Sequence, residues 1–312
     1  MITKKLLLTL ALSTLLATAA ISDSSLKDKA KNNLTNKLNQ GASALSNKIS
    51  ENISSFAEEH FESMKYLDFN INAQEYLKPT FSIMSVNEIT KIASGTIFNQ
   101  TSINTHDGDE TINLGFGVRK LLNDNTLLLG ANTFYDHQLT ESHERVGLGA
   151  EAITSIFDVR ANYYDAVSSR RTNAEGTTER ALDGWDLRGD YHLPIKHDVS
   201  FFVSIFEFKN PEETSSYREE GHKVGADARF GNLAIEGGYM DDNQQDDDQL
   251  ADSWFGSIKY VVNFGGNNQS NNTPKNAKTF NDVSDKLYQP VKRENKIRVV
   301  KIAASGVVVG GF

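Results

Sequence analysis

The chain has 312 residues, 38% hydrophobic and 23% charged, with 32 basic against 41 acidic residues, seven histidines and no cysteine. A mean hydropathy of −0.44 excludes a multi-pass helical membrane protein, which needs repeated apolar spans of about 20 residues. The lack of cysteine excludes a disulfide framework, thiolate metal sites and cysteine nucleophiles, and a net charge of −9 argues against nucleic acid as a partner, since neutralising phosphates takes a basic face.

Read in chain order, the first feature is an export signal. Lys4-Lys5 forms a positive start, Leu6 to Ala17 an apolar run and Ala17-Thr18-Ala19-Ala20 a small-residue exit, which predicts a cleaved secretory signal peptide over 1–19. Residues 20–64 follow as a helical zone. Leu26, Ala30, Leu34, Leu38, Ala42, Leu45, Ile49, Ile53 and Phe56 recur at steps of three and four, giving one apolar stripe on a polar rod. Such a stripe suits docking or self-association, or a helix laid over its neighbouring domain.

From Lys65 the apolar period becomes two. Ile112, Leu114, Phe116 and Val118 alternate with Asn113, Gly115, Gly117 and Arg119; Phe157, Val159, Ala161 and Tyr163 alternate with Asp158, Arg160 and Asn162; Trp185, Leu187, Gly189 and Tyr191 alternate with Asp186, Arg188 and Asp190. The pattern predicts twelve strands, at 65–73, 77–86, 91–101, 110–121, 126–136, 144–153, 156–166, 183–193, 198–208, 221–230, 232–241 and 252–264. A secreted sandwich also alternates. A transmembrane barrel is favoured by strand length, by aromatics near strand ends on the apolar face (Tyr135, Trp185, Phe230, Trp254) and by connections that alternate short and long. Pro79 falls inside the second strand, which makes the first strands the weakest of the set.

The blocks Asn113-Leu114-Gly115-Phe116-Gly117-Val118-Arg119, Leu129-Gly130-Ala131-Asn132-Thr133-Phe134-Tyr135-Asp136 and Arg145-Val146-Gly147-Leu148-Gly149-Ala150-Glu151-Ala152 resemble the barrel of the intimin/invasin inverse autotransporters. So do Ala161-Asn162-Tyr163-Tyr164, Asp183-Gly184-Trp185-Asp186-Leu187-Arg188 and the later Tyr288-Gln289-Pro290-Val291-Lys292-Arg293-Glu294-Asn295. The resemblance implies an all-β fold: a 12-stranded antiparallel outer-membrane β-barrel over 65–264, preceded by an amphipathic periplasmic helix, with both barrel ends in the periplasm. It also implies that the chain after the last strand turns back through the lumen and carries a C-terminal passenger outward. Expected partners are outer-membrane lipid and lipopolysaccharide, the barrel-assembly machinery and periplasmic chaperones.

On this scheme 265–290 is a linker and plug in the lumen, with a short helix over Thr279–Tyr288, and 291–312 is a tail that supplies one strand at most. The lumen-lining charges expected on the polar strand face are Arg119, Arg145, Glu151, Arg160, Asp186, Arg188, Asp190, Asp227 and Arg229. Their expected main role is mutual pairing, with hydrogen bonding to the threaded backbone second. About 20 residues follow Pro290, too few for the Ig-like or lectin-like modules of the family, so the passenger is expected to be nearly absent.

No GxSxG, HExxH or P-loop occurs, and no cofactor or metal is expected. Asp136-His137 with His143 and Glu144 is the one suggestive cluster, read as a polar surface loop. The acidic stretch 241–248 lacks the spacing of a calcium loop. Three functions stand: a translocator that displays its C-terminal segment, a small outer-membrane channel, and an adhesin acting through its loops.

Overall fold

Twelve long strands carry the alternating pattern into three dimensions. In the computed structural model, which describes residues 62–74, 79–106, 109–172, 176–195, 198–212, 215–243, 252–264, 279–302 and the backbone of 308–310, they are β1 (Met64–Gln74), β2 (Thr80–Ile92), β3 (Gly95–His106), β4 (Asp109–Leu122), β5 (Leu127–Gln138), β6 (Glu144–Ile153) and β7 (Phe157–Ala166), then, past the short β8 (Arg171–Thr172) and β9 (Thr178–Ala181), β10 (Asp183–His192), β11 (Asp198–Lys209), β12 (Arg218–Phe230), β13 (Leu233–Asp242) and β14 (Asp252–Asn263). Each wall strand pairs antiparallel with the next, β7 pairs with β10, and β14 closes on β1 from Tyr66↔Asn263 to Gln74↔Phe255. Closure leaves the wall no free edge, the condition for a sheet to sit in lipid. The signal peptide, the helical segment through residue 61, the linker 265–275 and most of the acidic stretch lie outside the described residues.

The alternation sorts residues as the sequence requires. Outward positions are apolar and exposed, among them Phe116, Val118, Leu148, Val159, Val203 and Ile235. Tyr135, Trp185, Phe230 and Trp254 also face outward near strand ends, where an aromatic girdle belongs. One rim carries the ends of β1 and β14 and the short turns after β2, β4, β6, β10 and β12; the opposite rim carries the connections after β1, β3, β5, β7, β11 and β13, the last three the longest. The β4–β5 turn is tight because Asn123, Asp124 and Asn125 all take positive φ, a region that short polar side chains tolerate.

Three expectations change. Pro79 precedes β2 rather than interrupting it, so no ladder hydrogen bond is lost there. The expected plug helix over Thr279–Tyr288 is a single 3₁₀ turn at Ser284–Lys286 in an otherwise irregular segment. In place of one terminal strand there are two, β15 (Val299–Ile302) and β16 (Val308–Gly310), which join β9 and β8 in a second sheet ordered β16-β15-β9-β8.

The inner face is not uniformly polar. Five inward aromatics lie flat on glycines directly across the ladder: Phe98 on Gly117, Phe134 on Gly115, Phe208 on Gly184, Phe202 on Gly225 and Phe255 on Gly238. A Cβ added at Gly184 would stand 2.2 Å from the Phe208 ring, and one at Gly115 the same distance from Phe134. The glycines therefore act as seats for rings, not as turn residues. Replacing Gly184 by Ala should cost about 1–3 kcal/mol through overpacking. Gly189→Ala, where an added methyl meets nothing within 4 Å, should be close to neutral. Urea unfolding of the refolded barrel in micelles ranks the two.

Candidate functional site: the threaded lumen

Residues 281–302 cross the barrel from one rim to the other. The segment enters beside the short turns, where Asn281 N–H donates to Ser155 Oγ (2.9 Å) and Val283 N–H to the Asn125 carbonyl (2.9 Å). Val283 packs there with Leu121, Leu128 and Ile153. At the opposite rim Leu182 N–H donates to the Arg298 carbonyl (3.0 Å), and β15 adds to β9 in register Val299↔Ala181 to Ile302↔Thr178. The boundary expected at residue 290 therefore moves: 291–298 belong to the lumen, not to a tail, because their polar groups are met by the inner wall.

In the middle of this path the segment's backbone is bonded by wall side chains. Arg119 Nη1 donates to the carbonyls of Leu287 (2.9 Å) and Gln289 (2.5 Å). The Gln100 amide accepts from Val291 N–H (2.7 Å) and donates to its carbonyl (3.4 Å). Asn162 holds the Lys292 carbonyl (3.1 Å), Arg145 the Glu294 carbonyl (2.7 Å) and Asn113 the Asn295 carbonyl (2.9 Å). Glu294 N–H donates to the Tyr164 hydroxyl (2.7 Å), which in turn donates to Asp186 (2.5 Å).

Side chains of the segment complete wall ion pairs. Asp136 is fully buried and receives both Arg145 (2.9 Å) from the wall and Arg293 (2.7 Å) from the segment. Asp190 and Asp227 take Lys292 (2.9 and 3.2 Å) as well as Arg188 (2.9 and 2.7 Å). Near the entry Lys286 reaches Asp158 (3.1 Å), and near the exit Arg298 pairs with Glu219 (3.0 Å). Guanidinium groups cover the aromatic layer: Arg119 lies over Phe98 at 4.6 Å, Arg293 over Phe134 at 4.2 Å, Arg145 over Tyr164 at 4.4 Å and Arg188 over Phe202 at 3.7 Å.

The nine charges named from the sequence divide by what they touch. Arg119 and Arg145 grip the threaded backbone, Asp190 and Asp227 grip Lys292, and Asp186 acts through Tyr164. Glu151, Arg160 and Arg188 pair within the wall, with Arg119–Glu151 at 2.5 Å and Arg160–Asp190 at 2.8 Å. Arg229 stands apart at the entry rim, where Nε donates to the Gly231 carbonyl (3.0 Å). Seven of the nine thus pair within the wall and four of these, Arg119, Arg145, Asp190 and Asp227, also hold the segment, so mutual pairing is the commoner role and threading is added to it. Asp136, read from sequence as part of a surface loop, is instead a central lumen carboxylate. Its inward parity was on view, but Leu128 and Phe134 share that face of β5 and blurred it. The amides of Gln100, Asn113 and Asn162 were missed because uncharged polar residues on an alternating strand carry no separate signal.

The exit rim is braced by two connections that meet. Arg170, between β7 and β8, donates to Glu212 in the β11–β12 connection (Nε–Oε1 2.6 Å) and holds its carboxyl below the usual carboxylate range. His143 is buried beside them, 3.4 Å from Ser168 Oγ and 3.7 Å from Glu179.

Breaking the Asp136 site is the sharpest probe of this network. Asp136→Asn leaves the Arg145 and Arg293 guanidinia buried without a counter-charge, and should cost about 3–5 kcal/mol in urea unfolding. Arg293→Met, which leaves the Asp136–Arg145 pair intact, should cost clearly less.

Comparison with known proteins agrees with this geometry. The family model described as "Inverse autotransporter, beta-domain" matches residues 17–295. A putative attaching and effacing protein homolog of Escherichia coli K12 is 37% identical over 100 residues, 31% of this chain and 34% of that one. Invasin of Yersinia enterocolitica is 33% identical over 104 residues (33% and 12%), and intimin of Citrobacter freundii 32% over 99 residues (31% and 10%). The aligned part thus spans about a third of the first relative and about a tenth of the other two. The family and these relatives are of non-enzymatic kinds. A solved structure from work on in-meso crystallization of membrane proteins superposes with a TM-score of 0.64 at 18% identity, over 76% of this chain and 98% of that one, which supports the fold. With a closed lipid-facing barrel and a match over most of its length, the chain belongs to the inverse autotransporter β-domain family and is an outer-membrane barrel.

Proposed function

We propose that the barrel anchors and translocates its own C-terminal segment, holding it in the lumen with its end presented at the cell surface. The observation that carries this reading is the course of residues 281–302, which enter at the rim where β1 begins and β14 ends and leave at the other. The entry rim would face the periplasm, because it collects the short turns, and the exit rim the outside, because it collects the longer connections. Export by a cleaved signal peptide and insertion by the barrel-assembly machinery belong to the same reading. The names invasin, and attaching and effacing protein homolog, point to adhesion as the use of whatever is displayed. The small-channel alternative is disfavoured by the occupied lumen.

The test is an epitope placed after Phe312 in the full chain. Intact cells should bind the antibody and lose the epitope to added protease. An epitope that is reached only after the outer membrane is permeabilised overturns the proposal.

A further inference from the structure

One strip of the outer wall departs from the rule that outward positions are apolar and exposed. Strand register places Asn99 of β3 beside Phe116 of β4 and, through Thr133, Leu148 of β6, all on the outer face. Phe116 and Leu148 are open, at 42% and 59% exposure, whereas Asn99 is closed at 1%. The closed strip continues across β2, β1 and β14. Asn87 and Ser85 pair with Asn99 and Thr101, Met64 and Leu67 pair with Asn87 and Ser85, and Val262 pairs with Leu67, so all share the outer face. None of them exceeds 5% exposure.

The strip has two halves. Met64, Leu67 and Val262 form an apolar cluster over the seam where β1 meets β14. Beside it lie four polar side chains, whose hydrogen bonds lipid cannot supply. Asn87 donates to Ser85 Oγ (3.4 Å) and Asn99 to Thr101 Oγ1 (3.3 Å), but the amide oxygens of Asn87 and Asn99 are buried with no donor among the described residues. A wall cannot close its own outer face, because strand neighbours stand side by side, as the open Phe116 shows. Closure takes a covering layer, and this one must bring both apolar groups and hydrogen-bond donors.

We infer that residues 45–61 of this chain, the last part of the amphipathic segment, dock on this strip. The described residues begin at 62, two positions before Met64 at the corner of the strip, so the segment is tethered there. Leu45, Ile49, Ile53 and Phe56 keep helical spacing over about 16 Å. The strip crosses three strand spacings, about 14 Å, so the lengths match. Asn52 falls within the apolar stripe, three residues after Ile49 and four before Phe56, and its amide brings two donors for the Asn87 and Asn99 oxygens. Glu51, Ser54 and Glu58 fall on the opposite side of the same helical period. The linker 265–278 also borders the strip, but it holds nothing apolar beyond Pro274 and Ala277 to match Met64, Leu67 and Val262. The docked segment straps the β1–β14 seam that closes the barrel and shields the polar patch from lipid. The inference concerns the outer wall and is independent of the threaded lumen.

The protein has no cysteine, so paired cysteines report the contact in the full-length chain, in outer membranes oxidised with copper phenanthroline. Asn52→Cys with Thr101→Cys should form about tenfold more intrachain disulfide than Asn52→Cys with Leu148→Cys, because the bond needs Cα atoms within about 7 Å. Ser85→Cys, nearly isosteric, replaces Thr101→Cys as the wall partner if that variant does not fold. Linked peptides in a digest identify the pair. Yields no higher on the strip than at Leu148 overturn the inference. So does a dimer band from Thr101→Cys alone, which assigns the strip to a second copy. A stronger link to Thr101→Cys from Asn271→Cys than from Asn52→Cys overturns it as well, by assigning the strip to the linker.

Discussion

A closed barrel uses the backbone hydrogen bonds of its wall within the wall, and this constraint shapes the rest of the molecule. A chain passing through such a lumen finds no strand edge to pair with until it leaves. Its N–H and C=O groups, removed from bulk water, cost free energy unless side chains supply partners. Residues 287–295 are met in that way, by Arg119, Gln100, Asn162, Arg145, Tyr164 and Asn113 in succession. Only past the exit, at β15, does the segment return to ordinary ladder pairing with β9.

The demand for long donors explains the layering of the inner face. An arginine that reaches the barrel axis needs something to lie against, and the inward rings of Phe98, Tyr164 and Phe202 provide it. A ring on the inner face needs room, and the cross-strand glycines provide that. Glycine, ring and guanidinium thus form three layers from wall to axis. Each guanidinium needs a carboxylate as well, because an unpaired charge at this depth is costly. Asp136, Glu151 and Asp190 fill that role and, having further lone pairs, accept the segment's own cations or the neighbouring arginines.

Much of this was legible from the sequence. Strand number, order and the lipid-facing half follow from strict alternation, because lipid accepts only apolar side chains and leaves a clean signal. The inner half is noisier. Phe98, Phe134 and Phe202 are inward yet apolar, and parity alone reads them as breaks in the pattern. Their logic is cross-strand, glycine opposite ring, and becomes visible only with the register. The path of 291–298 was misplaced for a related reason. Val291-Lys292-Arg293-Glu294 has no period that marks it as a strand or a helix, since its structure is set by the wall around it and not by its own propensity. The second terminal strand escaped, as did β8 and β9, because a strand of two to four residues has little sequence signature away from its partner.

On the proposed export route, the two kinds of grip on the segment have different consequences for a chain in transit. Bonds from Arg119, Gln100, Arg145 and Asn113 go to backbone groups, which every residue but proline presents alike, so any extended sequence at that level could receive them. Bonds from Asp136, Asp190 and Asp227 go to Arg293 and Lys292, and Val291 packs with Tyr66, Val86, Phe98, Phe134 and Val261 of the wall; these read particular side chains. A lumen built only of the first kind would hold every register equally well and stop nowhere. The second kind singles out one register by a set of buried charge pairs and one apolar contact, and strand addition at β15 closes the exit in that same register. Passage and arrest can therefore be properties of one inner wall, with the arrest written into residues 286–300 of the threaded chain.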